Sequence, residues 1–196
     1  MNNLVGWFLN NYDEVAGTII ALAYLYFSIK QNIWLWPLGF ISSAIYAFVF
    51  FRAKIYAGMG LQIYFVLISI YGWYIWWKGN NSNNVADSVK SLIYNYKLIL
   101  LLSLSAIVIF IFLSQILINT DSEVPYFDAF IAALSIVATW MLAKKYIEHW
   151  LVWMIADPVS VGICMFQGLY FTVFLYTVYT LMAIYGYKSW KKDLIN

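Results

Sequence analysis

The chain has 196 residues, of which 64% are hydrophobic and 10% charged, with a formal net charge of +2. A soluble domain carries about 25% charged and about 45–50% apolar residues, so this composition excludes an ordinary soluble domain and indicates an integral membrane protein. The small net charge offers no basic patch to a nucleic-acid partner, and a single cysteine, Cys164, excludes a disulfide framework.

Residues 1–15 contain no Lys or Arg, so the basic region of a secretory signal is missing and none is expected. A membrane-spanning helix needs about 20 mostly apolar residues. Seven such runs follow, over residues 14–30, 33–51, 56–77, 98–118, 126–144, 150–167 and 170–190. None alternates with period two over about ten residues, which excludes a transmembrane β-barrel. The expected fold class is an all-α integral membrane protein with seven transmembrane helices.

The first run opens on the acidic Glu14 and ends on Lys30. The second carries Trp36, Ser42, Ser43 and Tyr46. The third places Gln62 and Ser69 seven residues apart, hence on one helical face, and Trp73 continues that face. Between the third and fourth runs, "KGNNSNNVADSVKS" (78–91) is polar and rich in Asn, and reads as a mobile cytoplasmic linker. The fifth resembles the first, with Asp128 at its entrance and Lys144 at its exit.

The sixth run concentrates the chemistry. Trp150, Trp153 and Asp157 are spaced i, i+3, i+7 and share a face that Ser160 extends. A carboxylate at mid-bilayer costs about 2.5–3.5 kcal/mol on insertion scales, so such a group normally faces a cavity or a partner. Pro158 removes a backbone donor, frees the Met154 carbonyl and is expected to kink the helix. Two indole rings beside a carboxylate suit an organic cation. Cys164 is expected to be buried in this run. The bland readings are a protonated Asp157 bonded to a neighbouring helix, Trp150 as an interfacial belt residue, and Ser42, Ser43 and Gln62 as helix–helix glue.

Lys and Arg near the run ends set orientation. With the N-terminus outside, Lys30, Lys78, Lys90, Lys97, Lys144, Lys145, Lys188, Lys191 and Lys192 fall on the cytoplasmic side and only Arg52 and Lys54 outside. This favours an external N-terminus and a cytoplasmic C-terminus.

The chain also repeats. "LQIYFVLISIYGWYIWWK" (61–78) aligns without gaps with "LYTVYTLMAIYGYKSWKK" (175–192) at an offset of 114 residues, sharing Leu, Leu, Ile-Tyr-Gly, Trp and Lys. The same offset sets Glu14 on Asp128 and Lys30 on Lys144. Runs two and six correspond with a small shift, Trp36 facing Trp153 and Ser43 facing Ser160. Runs one to three therefore repeat as runs five to seven, with run four an extra crossing. An odd linker span leaves both units in the same orientation, a parallel repeat of the kind that places a substrate site at the repeat interface. The expected organisation is residues 1–78 as the first three-helix unit, 79–124 as loop plus linker helix, and 125–196 as the second unit.

Enzyme chemistry finds little support. The one histidine, His149, cannot supply a His-based metal cluster. No phosphate-cradling glycine motif occurs, and Ser with Asp alone makes no nucleophile triad. Neither metal nor cofactor is expected.

Three stretches carry a family resemblance: "GLQIYFVLISIYGWYIW" (60–76), "LSIVATWMLAKKYIEHWLVWMIADPVSV" (134–161) and "QGLYFTVFLY" (167–176). They resemble the PnuC family of nicotinamide riboside transporters, whose sixth helix carries a W-x-x-W matched here by Trp150 and Trp153. Glu14 with Gly17, and "NIWLWPLGFISSAIY" (32–46), also fit. The resemblance implies a SWEET-like fold with 3+1+3 organisation. It also implies facilitated diffusion of an unphosphorylated vitamin precursor across the bacterial inner membrane, with trapping by a cytoplasmic kinase. On it, Trp150 and Trp153 form a substrate cage and Gln62 adds polar contacts; with the residue reading, Asp157, Ser69, Trp36, Ser43 and Tyr46 complete the expected substrate-binding set. Some members have Asn where this chain has Asp157 and Ser69, and relatives also carry thiamine. Nicotinamide riboside and thiamine are both aromatic cations with hydroxyl groups, so the cage suits either. A SWEET-type sugar carrier and a non-transport membrane subunit are the other readings. The expected partners are this small molecule and the lipid bilayer, with a functional link to the kinase; a homo-oligomer is left open.

Overall fold

The computed structural model describes residues 12–52, 56–80, 88–120, 122–168 and 170–195. These form seven α-helices: α1 (Tyr12–Ile29), α2 (Leu35–Arg52), α3 (Tyr56–Asn80), α4 (Tyr96–Leu117), α5 (Pro125–Ala143), α6 (His149–Phe166) and α7 (Tyr170–Ile195). Among the described residues there is no strand, only an isolated parallel bridge between Lys90 and Tyr146. Each run read as a span from the sequence is one helix, with ends displaced by a few residues.

Five helical segments are long and apolar enough to cross a membrane: Leu35–Arg52, Met59–Gly79, Tyr96–Leu117, Pro125–Ala143 and His149–Phe166. A helix satisfies its own backbone groups where no water is available, which is why such segments span lipid as helices. α4 is the most apolar, with a mean hydropathy of 2.6, and exposes Leu100, Leu101, Leu104, Val108, Ile111 and Phe112. In water that surface would be a liability; against acyl chains it is solvated.

Six helices close a ring. α1 packs on α2, α2 on α3, α3 on α5, α5 on α6, α6 on α7, and α7 returns to α1. α4 lies outside the ring against α5. Small residues on α5 (Ala129, Ala133 and Ala138, all buried) let its neighbours approach closely.

Local structure recurs 114 residues apart. α1 and α5 both end in a residue of left-handed conformation, Gln31 (φ 51) and Lys145 (φ 59). In the first, Gln31 N–H donates to Ser28 O (3.1 Å) and Asn32 N–H to Phe27 O (2.8 Å). In the second, Lys145 N–H donates to Leu142 O (2.9 Å) and Tyr146 N–H to Met141 O (2.9 Å). This is the Schellman pattern, which satisfies the last carbonyls of a helix and turns the chain sharply into the next one.

The turns deliver Trp36 and Trp150 to equivalent places. Both rings are fully buried, and each lies on a bare glycine of the following helix. A Cβ on Gly72 would come within 2.4 Å of the Trp36 ring, and one on Gly186 within 2.6 Å of the Trp150 ring. Trp36 meets Trp76 edge-on at 5.5 Å and 89°, and Trp150 meets Trp190 at 5.9 Å and 86°. The second tryptophan of each pair then crosses to the other half. Trp76 Nε1 donates to Ala143 O at the end of α5, and Trp190 Nε1 to Ser28 O at the end of α1, both at 3.1 Å. The match of Trp36 with Trp150 corrects the shifted pairing of Trp36 with Trp153 and Ser43 with Ser160 read from the sequence. The offset is 114 without a shift, because it is the glycine contact that fixes the register.

The stretch ahead of α4 also differs from expectation. Residues 81–87 lie outside the described residues, but 88–92 are packed rather than loose. Val89 and Leu92 are buried. Lys90 N–H donates to Lys145 O and Ile147 N–H to Lys90 O, each at 2.9 Å. Glu148 Oε1 accepts from Ser91 Oγ (2.6 Å) and Leu92 N–H (2.7 Å). Polar composition alone reads as a loose linker; the clamp comes from a carboxylate far along the chain, in the α5–α6 connection.

Filling a glycine under a buried, stiff ring is overpacking, which costs roughly 1–3 kcal/mol. Gly72→Ala and Gly186→Ala are therefore expected to lower the melting temperature of the protein in detergent, and Trp150→Phe to restore part of the loss in Gly186→Ala. Gly60→Ala and Gly162→Ala, where no atom lies within 4 Å of the added carbon, are expected to leave it unchanged or slightly raised.

Candidate functional site

The six-helix ring encloses a cavity of about 710 Å³, lined by residues of α1, α2, α3, α5, α6 and α7, and by none of α4. Each helix contributes one stripe at helical spacing. On α6 the stripe is Trp150, Trp153, Asp157, Ser160, Cys164 and, just past the helix, Gln167. On α5 it is Asp128, Ile131, Ala132, Ser135, Thr139 and Leu142. The cavity therefore runs along most of the length of both helices. At one end it stops on Ser28, Leu142 and Trp150, all nearly inaccessible, at the tryptophan seam. At the other it reaches Gln167, which is exposed, and Phe50 and Asp128, which are partly so.

Asp157 sits between the two ends, on the cavity wall and 5% exposed. No hydrogen bond from a described residue reaches its carboxylate. α6 runs on through Pro158 as one helix. The proline still leaves the Met154 carbonyl without its helical donor.

Three hydroxyls of the cavity wall are oriented by their own helices. Ser69 Oγ donates to Phe65 O (2.7 Å), Thr139 Oγ1 to Ser135 O (2.7 Å) and Ser160 Oγ to Ala156 O (3.0 Å). A serine or threonine hydroxyl has one proton and two lone pairs. With the proton committed to the backbone, each of these oxygens offers only acceptor capacity. Three described basic groups lie over aromatic rings outside the cavity lining: Lys144 over Tyr71 (5.1 Å), Lys145 over Trp76 (4.6 Å) and Arg52 over Phe48 (5.7 Å). Among the described residues, no Lys, Arg or His lines the cavity.

Of the residues singled out from the sequence, Gln62, Ser43, Ser69, Trp150, Trp153 and Asp157 line this one cavity. Trp153 is partly exposed there, whereas Trp150 is 1% exposed and serves as the floor, wedged against His149 (4.4 Å) and Trp190. Trp36 and Tyr46 are not brought in. Trp36 is spent in the seam, and Tyr46 is 45% exposed, beside Phe50. Trp73 faces out, in a shallow groove with Ile70, Tyr74 and Trp77. Cys164 is buried in α6, as expected. The cavity also takes in Tyr24, Tyr176 and Tyr179, whose aromatic character reads in sequence as a membrane-interface belt, and the α5 stripe. The small and polar residues of α5 at spacings of three and four were the signal that could have found it.

Residues 11–192 match the family model described as nicotinamide mononucleotide transporter. The chain is 26% identical over 203 residues to the nicotinamide riboside transporter PnuC of Escherichia coli, across 92% of this chain and 85% of that one. It is 25% identical over 182 residues to the riboflavin/roseoflavin transporter RibM of Streptomyces davaonensis, across 91% and 84%. In fold it is similar to the crystal structure of the vitamin B3 transporter PnuC, with a TM-score of 0.73 over 96% of this chain and 85% of that one, at 22% identity. A ring of apolar helices around a polar cavity and a family match over nearly the whole length agree: the chain belongs to the PnuC (nicotinamide mononucleotide transporter) family and is a multi-pass membrane transporter, not an enzyme.

Proposed function

We propose that the protein carries nicotinamide riboside across the bacterial inner membrane by facilitated diffusion. The observation that supports this best is the chemistry of the cavity wall. Asp157 is nearly buried without a hydrogen-bond partner among the described residues, Ser69, Thr139 and Ser160 are left as acceptors, and no described cation faces them. Ribose hydroxyls and a carboxamide can donate to such a wall. A pyridinium ring offsets the carboxylate and meets the face of Trp153. A phosphate would bring negative charge to a wall without counter-charge, which favours the riboside over the mononucleotide. The flavin named for the Streptomyces relative carries no positive charge, so the carboxylate favours a cation over it. Thiamine shares the favoured features and is the comparator to test.

Facilitated diffusion needs the cavity to open to each side in turn. We read residues 1–78 and 125–196 as two parallel three-helix units joined by 79–124, in a SWEET-like 3+1+3 arrangement with the N-terminus outside and the C-terminus in the cytoplasm. The recurrence of the turns and tryptophans at 114 residues supports this. On this reading the tryptophan seam lies at the lysine-rich, cytoplasmic end and is what closes the cavity there. A cytoplasmic kinase would trap the substrate after release, so transport itself needs no ion gradient.

Binding to purified protein is expected for nicotinamide riboside and not for its 5′-phosphate. Trp153→Ala removes a ring–cation contact worth about 0.5–2 kcal/mol, which is roughly a two- to thirty-fold loss of affinity. Asp157→Asn is expected to weaken binding of the cation while leaving a neutral, reduced riboside unaffected; equal loss of both would assign Asp157 to hydrogen bonding alone. The seam is checked by thiol labelling of a Cys164→Ala protein with one cysteine at Ser28. Trp76→Phe and Trp190→Phe keep an aromatic ring but lose the indole N–H and its bond to Ala143 or Ser28, and are expected to speed labelling from the cytoplasmic side. Proteoliposomes should equilibrate the substrate without concentrating it; accumulation driven by a proton or sodium gradient would count against facilitated diffusion.

A further inference from the structure

We propose that Asp128 is a second specificity-determining residue, which captures the substrate's positive charge at the open end of the cavity and passes it inward to Asp157. This rests on the transport reading above. Asp128 and Asp157 are the two charged side chains among the described residues of the cavity lining. They lie on adjacent helices that run in opposite directions. On α5, fourteen residues separate Asp128 from Leu142 at the closed end, or about 21 Å at 1.5 Å per residue. On α6, seven residues separate Asp157 from Trp150 at the same closed end, or about 10 Å. The two carboxylates thus stand in file along the cavity, with Asp128 about 10 Å nearer the open end. That interval is close to one Debye length at physiological salt, and screening is weaker still between low-dielectric walls.

Asp128 is held for the task. Ser122 Oγ donates to its Oδ2 (2.5 Å) and accepts from Val124 N–H (3.2 Å). Its Oδ1 receives no hydrogen bond from a described residue. An acid in the first turn of a helix also complements the helix dipole, and that structural role by itself would explain one aspartate. It does not explain Asp157, which is 95% removed from solvent, carries no hydrogen bond from a described residue, and faces the same cavity. Two carboxylates facing a confined space that no described cation enters focus the field on a cation and raise its local concentration. Arg52 belongs to the same end, but its guanidinium lies over Phe48, which is exposed on the outer side of α2. Lys54 lies outside the described residues.

The test is initial-rate uptake of nicotinamide riboside and of its neutral reduced form by the parent, Asp128→Asn and Glu123→Gln proteins, at low and high ionic strength. Asparagine keeps an acceptor for Ser122, and an unchanged melting temperature shows that the start of α5 survives. Asp128→Asn is expected to raise the half-saturating concentration of the cation roughly three- to ten-fold at low salt, with the maximal rate unchanged and the difference shrinking as salt rises. Uptake of the neutral form should not change. Glu123, exposed at the same end but outside the cavity, should be replaceable without effect on either compound. The proposal is overturned if cation and neutral form suffer equally, if Asp128→Asn matches the parent, or if Glu123→Gln reproduces it. A parent that moves neither compound would instead remove the transport reading, and this inference with it.

Discussion

The spacing of the whole ring depends on two tryptophan rings lying flat on two bare glycines. With no side chain at Gly72 and Gly186, α3 and α7 come close enough to α2 and α6 for Trp36 and Trp150 to fill the gap completely. Lipid supplies no hydrophobic drive between helices, so tight packing of this kind is what holds them together. The same contact aims Trp76 and Trp190 across the molecule at the carbonyls of Ala143 and Ser28. Each half thus closes on the other, and the cavity gains a floor.

Scaffold and lining follow different rules. The turns, glycines and seam tryptophans recur at 114 residues, yet the positions that face the cavity diverge at the same offset. Asp157 stands opposite Ser43, Trp153 opposite Gly39, Tyr176 opposite Gln62, Tyr179 opposite Phe65, and Ala183 opposite Ser69. Gly39 leaves no room for a side chain of its own: a Cβ there would lie 3.1 Å from Ser69 Oγ and 3.2 Å from Tyr24.

α4 shows how a span can be present without contributing to the site. It packs on α5, sends no residue into the cavity, and exposes most of its apolar surface. What ties its approach segment down is the clamp of Glu148 on Ser91 and Leu92, together with the short bridge from Lys90 to the α5–α6 turn. The clamp links the start of α4 to the connection that orients Trp150. Polar composition gave no hint of it, because the partners are more than fifty residues apart and their pairing is a matter of docking.

Apolar runs of the right length determined the helices and the membrane, because lipid leaves the backbone no alternative to bonding within its own segment. The cost of an intramembrane carboxylate marked Asp157, and helical spacing alone put Trp153, Ser160 and Asp157 on one face. The recurrence of Ile-Tyr-Gly at 114 residues was legible too, and the turns and tryptophan–glycine contacts fall at the same offset. What periodicity could not decide was which way a face turns. Trp36, Tyr46 and Trp73 had the residue type and spacing of a cavity lining, but the glycine contact rotates Trp36 into the seam, Tyr46 is left 45% exposed, and Trp73 lies in a shallow outer groove. Where every face of a helix is apolar, sequence carries almost no signal for its rotation about its own axis. Only close packing against neighbours fixes that angle, and with it the tyrosines of α1 and α7, the α5 stripe and Asp128.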